Sequence, residues 1–330
     1  MKTLHQHLQH PSVKLLSFKP VQGFASPHIQ TILPVILTKG GTEPPSAPFF
    51  VQLSDGDSLY CKMSTPACWT PLHKTVLLLH GLGGSDSSAY MIRLARKMYL
   101  AGHRVVRVNL RGSGQGVHYA RRPYNGGTSA DILDVVQTMK KQTPHSPLIL
   151  IGYSLGGNIL LKLLGELGEK GTELVEKGIA VCPPIDLART MELLCQGTNQ
   201  IYHRYYVKGL RLLGAPWLKN QTIHSIVEFD THVTAPQWGF RDAHDYYAQC
   251  SGILFLSKIR TKCELILSMD DPFVDYRPVM DLAVNTDVNI WLSRYGGHMG
   301  FWGWAGLEHG WNWLDGLLFK LVSKGLLNNN

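Results

Sequence analysis

The stretch Leu148-Ile-Leu-Ile-Gly152-Tyr-Ser154-Leu-Gly156-Gly-Asn158 constrains this chain more than any other. A continuous apolar run enters Gly-x-Ser-x-Gly and passes at once into Leu155–Leu167, a segment with helical apolar spacing. A strand that becomes a helix within one residue holds that residue at strained backbone angles, so its neighbours must be small. The bend lifts the Ser154 hydroxyl toward a ligand. The helix behind it supplies unpaired N–H groups and the positive end of its dipole. Ser154 is therefore the candidate nucleophile.

The surrounding pattern agrees with such a bend. Thr75–Leu79, Arg104–Leu110, Leu148–Ile151, Gly178–Val181, Glu264–Met269 and Val288–Leu292 read as strands. Ser87–Ala101, Thr128–Lys141, Leu155–Leu167, Pro278–Val284 and Trp311–Ser323 read as helices, the first stopped by Gly102. This alternation implies a mainly parallel sheet covered by helices on both faces. Before it, Phe49–Leu53 and Ser58–Ser64 flank Ser-Asp-Gly-Asp and read as an antiparallel hairpin. The alternation fails over 185–250, a stretch rich in Tyr and Trp that predicts a mostly helical cap. The expected organisation is an irregular arm at 1–47 packed on the core, a core at 48–184 and 251–330, and a cap insertion at 185–250.

A serine hydroxyl needs a base to accept its proton. On a sheet of this kind the chain order is serine, acid, histidine. Asp270 and Asp271 directly follow a predicted strand. His298, inside Gly296-Gly-His-Met-Gly300, follows the last one. Both loops lie at the C-terminal ends of strands, where open α/β sheets bind ligands. Asp271 is favoured as the partner of His298 because it precedes Pro272 and an apolar turn, which leaves Asp270 to cap that turn; Asp270 stays open as the alternative. His80-Gly-Leu82-Gly-Gly84 follows another strand end. The backbone N–H groups of Leu82 and Leu155 are the candidate oxyanion donors, each worth about 3 kcal/mol in such sites. His80 itself reads as an organiser of its loop rather than a base.

The complete set of motifs resembles one family. Gly152-Tyr-Ser-Leu-Gly-Gly-Asn158, His80-Gly-Leu-Gly-Gly84, Asn109-Leu-Arg-Gly112, Asp270-Asp-Pro-Phe273 and Gly296-Gly-His-Met-Gly-Phe301 are similar to the YheT-like branch of the α/β-hydrolases. The branch is related to mammalian hydrolase-domain lipid esterases. Gly23-Phe-Ala-Ser-Pro-His-Ile-Gln-Thr-Ile-Leu33 in the arm, and Glu228–Thr231 with Asp245–Ser251 in the cap, extend the likeness over nearly the whole chain. The resemblance implies an α/β-hydrolase fold and a Ser154–His298–aspartate relay. It also implies a small acyl-ester substrate, short or lipid-like, and no cofactor. An acyltransferase using the same nucleophile, or a non-catalytic binding protein on this fold, are the competing readings.

Composition excludes little but points the same way. Hydrophobic residues at 44% and charged residues at 17% suit a large buried core. Lysine and arginine exceed aspartate and glutamate by 32 − 24 = 8. Those cations are scattered, so nucleic-acid binding is not expected; weak peripheral attraction to anionic lipid surfaces fits the balance better. The six cysteines show neither CxxC nor metal-ligand spacing and suit a reducing compartment. Neither a leader nor a membrane-spanning run is read, Thr31–Leu37 being short and interrupted by Pro34, so the expected location is the cytoplasm.

Overall fold

The computed structural model describes residues 12–37, 40–214, 216–218, 222–282 and 284–323. The leader expectation at the extreme N-terminus lies outside them. The elements are, in chain order, β1 (Val13–Leu16), α1 (Pro27–Leu37), β2 (Ala47–Gln52), β3 (Ser58–Ser64), β4 (Thr75–Leu79), α2 (Ala89–Leu100), β5 (Arg104–Val108), α3 (Ser129–Gln142), β6 (Leu148–Tyr153), α4 (Leu155–Leu167), β7 (Lys177–Val181), α5 (Leu187–Leu194), α6 (Gln200–Leu213), α7 (Ala243–Cys250), β8 (Cys263–Ser268), β9 (Val288–Ser293) and α8 (Trp313–Ser323), with short helical turns between some of them.

The strands form one sheet in the order β1-β9-β8-β7-β6-β4-β5-β3-β2. Only the pairings of β2 with β3 and of β3 with β5 are antiparallel. Period-two alternation sorts each strand between two cores. Leu77 and Leu79 of β4 join Ile132, Val136 and Ile159 beneath α3 and α4. Val76 and Leu78 point the other way, to Met91, Leu94 and Met98 of α2 and Leu318 and Leu321 of α8. Helices therefore cover both faces, as the alternation predicts. Because the central strands are parallel, the segments after β4, β6, β8 and β9 emerge at one edge, and they carry His80, Ser154, Asp271 and His298.

The stretch 185–250 contains helices and, among its described residues, no strand. Several expectations need correction. The arm is not irregular: β1 pairs in parallel with β9 and extends the sheet, and α1 follows. Four residues are too few for a periodicity to show, and α1 turns its polar side inward, so its amphipathic pattern points to the wrong face as the buried one. The helix expected over Pro278–Val284 is a single turn, Arg277–Met280, which buries Val279 and Met280 before the chain turns toward β9; Ala283 lies outside the described residues. α2 starts at Ala89 rather than Ser87, because Ser85–Ser88 form a turn in which the Ser88 hydroxyl accepts the Ser85 N–H at 3.0 Å.

Candidate active site

The bend at Ser154 is built as its glycines demand. Ser154 has φ +48° and ψ −119°, a backbone conformation that costs a non-glycine residue about 1–3 kcal/mol. Its N–H donates to the Val181 carbonyl at 2.8 Å, and its carbonyl accepts the N–H of Gly157 and of Asn158. A Cβ on Gly152 would lie 2.4 Å from the Gly156 carbonyl oxygen, and one on Gly156 would lie 2.6 Å from that of His80. Strand, bend and helix can approach this closely only without those side chains.

Ser154 Oγ lies 3.0 Å from His298 Nε2, and His298 Nδ1 lies 2.7 Å from Asp271 Oδ2. Serine and histidine are nine-tenths or more buried. The second Asp271 oxygen accepts the N–H of Phe273 at 3.1 Å and of Val274 at 3.0 Å, which locks the carboxylate toward the ring. The Phe273 ring packs on the imidazole, with centroids 4.2 Å apart.

Asp270 does not touch His298. It accepts the Ser268 hydroxyl and, at 2.9 Å, the Gly297 N–H, so it ties the histidine loop to the end of β8. Burial raises its pKa. The expectation that Asp270 caps its own turn is thus corrected: the turn is capped by Asp271, and Asp270 reaches across to the neighbouring loop.

The loop after β4 is held at both sides of Leu82. The Gly81 N–H donates to the Tyr90 hydroxyl at 3.1 Å, and the Gly83 N–H donates to that of Tyr124 at 2.8 Å. Leu155 is the first residue of α4, so its N–H has no acceptor within the helix. Leu82 and Ser154 line one cavity of about 570 Å³, with His298 and, from α6, Tyr202 and Tyr206. His80 lies beneath the loop, fully buried; the Leu110 N–H donates to its Nε2 at 3.1 Å, leaving Nδ1 to donate to the Gly81 carbonyl at 2.8 Å. Burial pushes its pKa down to about 4, so this imidazole is neutral near pH 7.

Some contributors escaped the sequence reading. Thr31 of α1 accepts the His298 N–H at 2.9 Å. Gln30, fully buried, accepts the Trp302 N–H at 2.8 Å. The arm motif that contains both residues was the available signal, but nothing local says what it touches. Asn158 donates to the carbonyls of Gly126 and Cys250 and accepts the Gly252 N–H, joining the start of α4 to the end of α7. Among the described residues, no group of three His, Cys, Asp or Glu side chains could hold a metal ion.

A family model described as the alpha/beta hydrolase fold matches residues 74–229. The chain is 29% identical over 314 residues to the putative esterase YheT of Escherichia coli K12, covering 90% of each. This chain has the α/β-hydrolase fold, and its sequence is similar to the YheT-like branch. It is also 28% identical over 240 residues to phospholipase ABHD3 of Mus musculus, covering 69% of this chain and 58% of that protein. Among solved structures, a 2,6-dihydroxy-pseudo-oxynicotine hydrolase superposes with a TM-score of 0.59 at 16% identity, over 90% of this chain and 72% of that one, which speaks for the fold alone.

Proposed function

We propose that this hydrolase cleaves carboxylic esters, of acyl or lipid-like type, through an acyl-enzyme on Ser154. The observation that carries the reading is the continuous hydrogen-bonded line from Ser154 Oγ through His298 to Asp271. Ser154 Oγ attacks the ester carbonyl carbon while His298 Nε2 takes its proton. The carbonyl oxygen becomes an oxyanion held by the N–H groups of Leu82 and Leu155. Asp271 fixes the imidazole tautomer and stabilises the imidazolium without itself taking the proton. Collapse of the intermediate breaks the C–O bond, and the leaving alcohol receives the proton from Nε2. Water, deprotonated by the same nitrogen, then releases the acid and restores Ser154.

The tyrosines of α6 supply apolar walls for an acyl chain. Relatives named as an esterase and a phospholipase support ester substrates. The test is hydrolysis of p-nitrophenyl acyl esters of graded length by the chain and by Ser154→Ala. Activity should fall by about 10⁴-fold or more in the variant. Labelling by a fluorophosphonate should vanish with it. Undiminished hydrolysis by a folded Ser154→Ala protein would refute the reading.

A further inference from the structure

α1 is built inside out. It buries Gln30, Thr31 and Pro34 and turns Ile32, Val35, Ile36 and Leu37 outward, Val35 being 75% and Ile36 68% exposed. A surface helix normally does the reverse. α6 exposes Ile201, Tyr205 and Leu212 at helical spacing, and the same exposed stripe carries Arg204, Lys208 and Arg211. Neither helix contains an aspartate or glutamate. Ile32, Val35 and Ile36 of α1, and Ile201 and Tyr205 of α6, line the mouth of the cavity that holds Ser154. The exposed apolar surface is therefore continuous with the site, and cations flank it. His28 joins the two helices, its Nδ1 lying 2.9 Å from the Tyr202 hydroxyl.

We propose that this rim docks the cavity mouth on an anionic lipid surface. Apolar side chains from two helices would enter the headgroup boundary, and the α6 cations would meet lipid phosphates, the arrangement that holds amphipathic helices at an interface. Among the described residues, no helix is long and apolar enough to cross a membrane, so attachment through this rim is peripheral. The charge pattern also selects the occupant. A second copy of the chain docked face to face would set Arg204, Lys208 and Arg211 against their own equivalents, whereas an anionic lipid surface neutralises them. The docking rests on the acyl-ester reading for what the cavity receives there, but its own evidence is the rim.

The experiment is flotation of the full chain with vesicles of phosphatidylcholine, with and without phosphatidylglycerol. The chain should float with the anionic vesicles and release as salt is raised. Arg204→Glu combined with Lys208→Glu should weaken that binding by about tenfold or more. Leu37→Asp, which lies outside the cavity lining, should weaken it independently. Both variants should hydrolyse soluble p-nitrophenyl acetate as the parent does. Absence of binding to anionic vesicles, or parent-like binding by both variants, would overturn the docking. So would a dimer in light scattering that Leu212→Asp dissociates. A chain that binds vesicles yet cleaves no soluble ester would instead defeat the ester reading and leave the docking standing.

Discussion

The Thr31 hydroxyl accepts the backbone N–H of His298 at 2.9 Å, and it donates in turn to the Pro27 carbonyl at 2.7 Å. The bond joins residues 267 positions apart, and it anchors a loop that needs anchoring. Gly297, Met299 and Phe301 around His298 all have positive φ, a combination that persists only where surrounding contacts over-determine it. The arm supplies those contacts, so the orientation of the imidazole depends on a segment remote in sequence.

Thr31→Val keeps the side-chain shape but leaves the buried His298 N–H without an acceptor, a loss of about 1–3 kcal/mol. On soluble esters, kcat should fall by about tenfold with KM little changed, since Ser154 and His298 would meet less often in register. Thr31→Ser should restore the rate. Steady-state kinetics on the two variants decide it: equal activity in parent and Thr31→Val would free the loop from the arm.

The two neighbouring aspartates should respond very differently to amidation. Asp271→Asn would present an N–H to His298 Nδ1 and favour the wrong tautomer, with a loss in kcat of about 10⁴-fold. Asp270→Asn keeps an oxygen for both the Ser268 hydroxyl and the Gly297 N–H, and it removes a carboxylate whose ionisation burial disfavours. Its effect should stay within about tenfold. Rate measurements that reversed this order would move the relay to Asp270.

On mild acidification His80 should withdraw stability that a variant without its imidazole does not lose. Its folded pKa is about 4 against an ordinary 6.5, so the unfolded chain takes up a proton that the folded chain refuses between those values. The contribution is complete above pH 6.5 and is lost as the pH drops toward 4, by on the order of 3 kcal/mol. Asp230 acts in the opposite sense: buried, and raised from 3.8 to about 6, it loses stability as the pH rises through that window. Comparing urea unfolding of the parent and His80→Gln over the same pH range isolates the histidine. Identical pH slopes would rule out its role.

Gly300→Ala tests how closely the arm is seated. An added Cβ would lie 1.7 Å from the Gln30 carbonyl oxygen, a backbone atom that cannot swing aside. Either α1 or the histidine loop must shift, at roughly 3 kcal/mol or more. Thermal unfolding together with esterase activity should show both reduced. A variant that unfolds with the parent would place the two segments further apart than this.

The fold was legible from local chemistry. Apolar runs such as Leu148–Ile151 are long enough to register as buried strands, and the glycines around Ser154 announce a bend that only one kind of chain geometry needs. The order of serine, acid and histidine could be read because each follows a strand of a parallel sheet, and parallel strands end at a common edge. What stayed hidden depends on contacts between distant segments. The choice between Asp270 and Asp271 turns on which carboxylate faces the ring, and adjacent residues have nearly the same sequence context. β1 is too short to show a period, and it becomes a strand because β9 offers an open edge. α1 defeats pattern reading outright: its inner face meets backbone groups of the histidine loop and is polar, while its apolar face looks outward. Side-chain periodicity reports burial only when water lies on the other side, so only the tertiary structure could decide where that helix points.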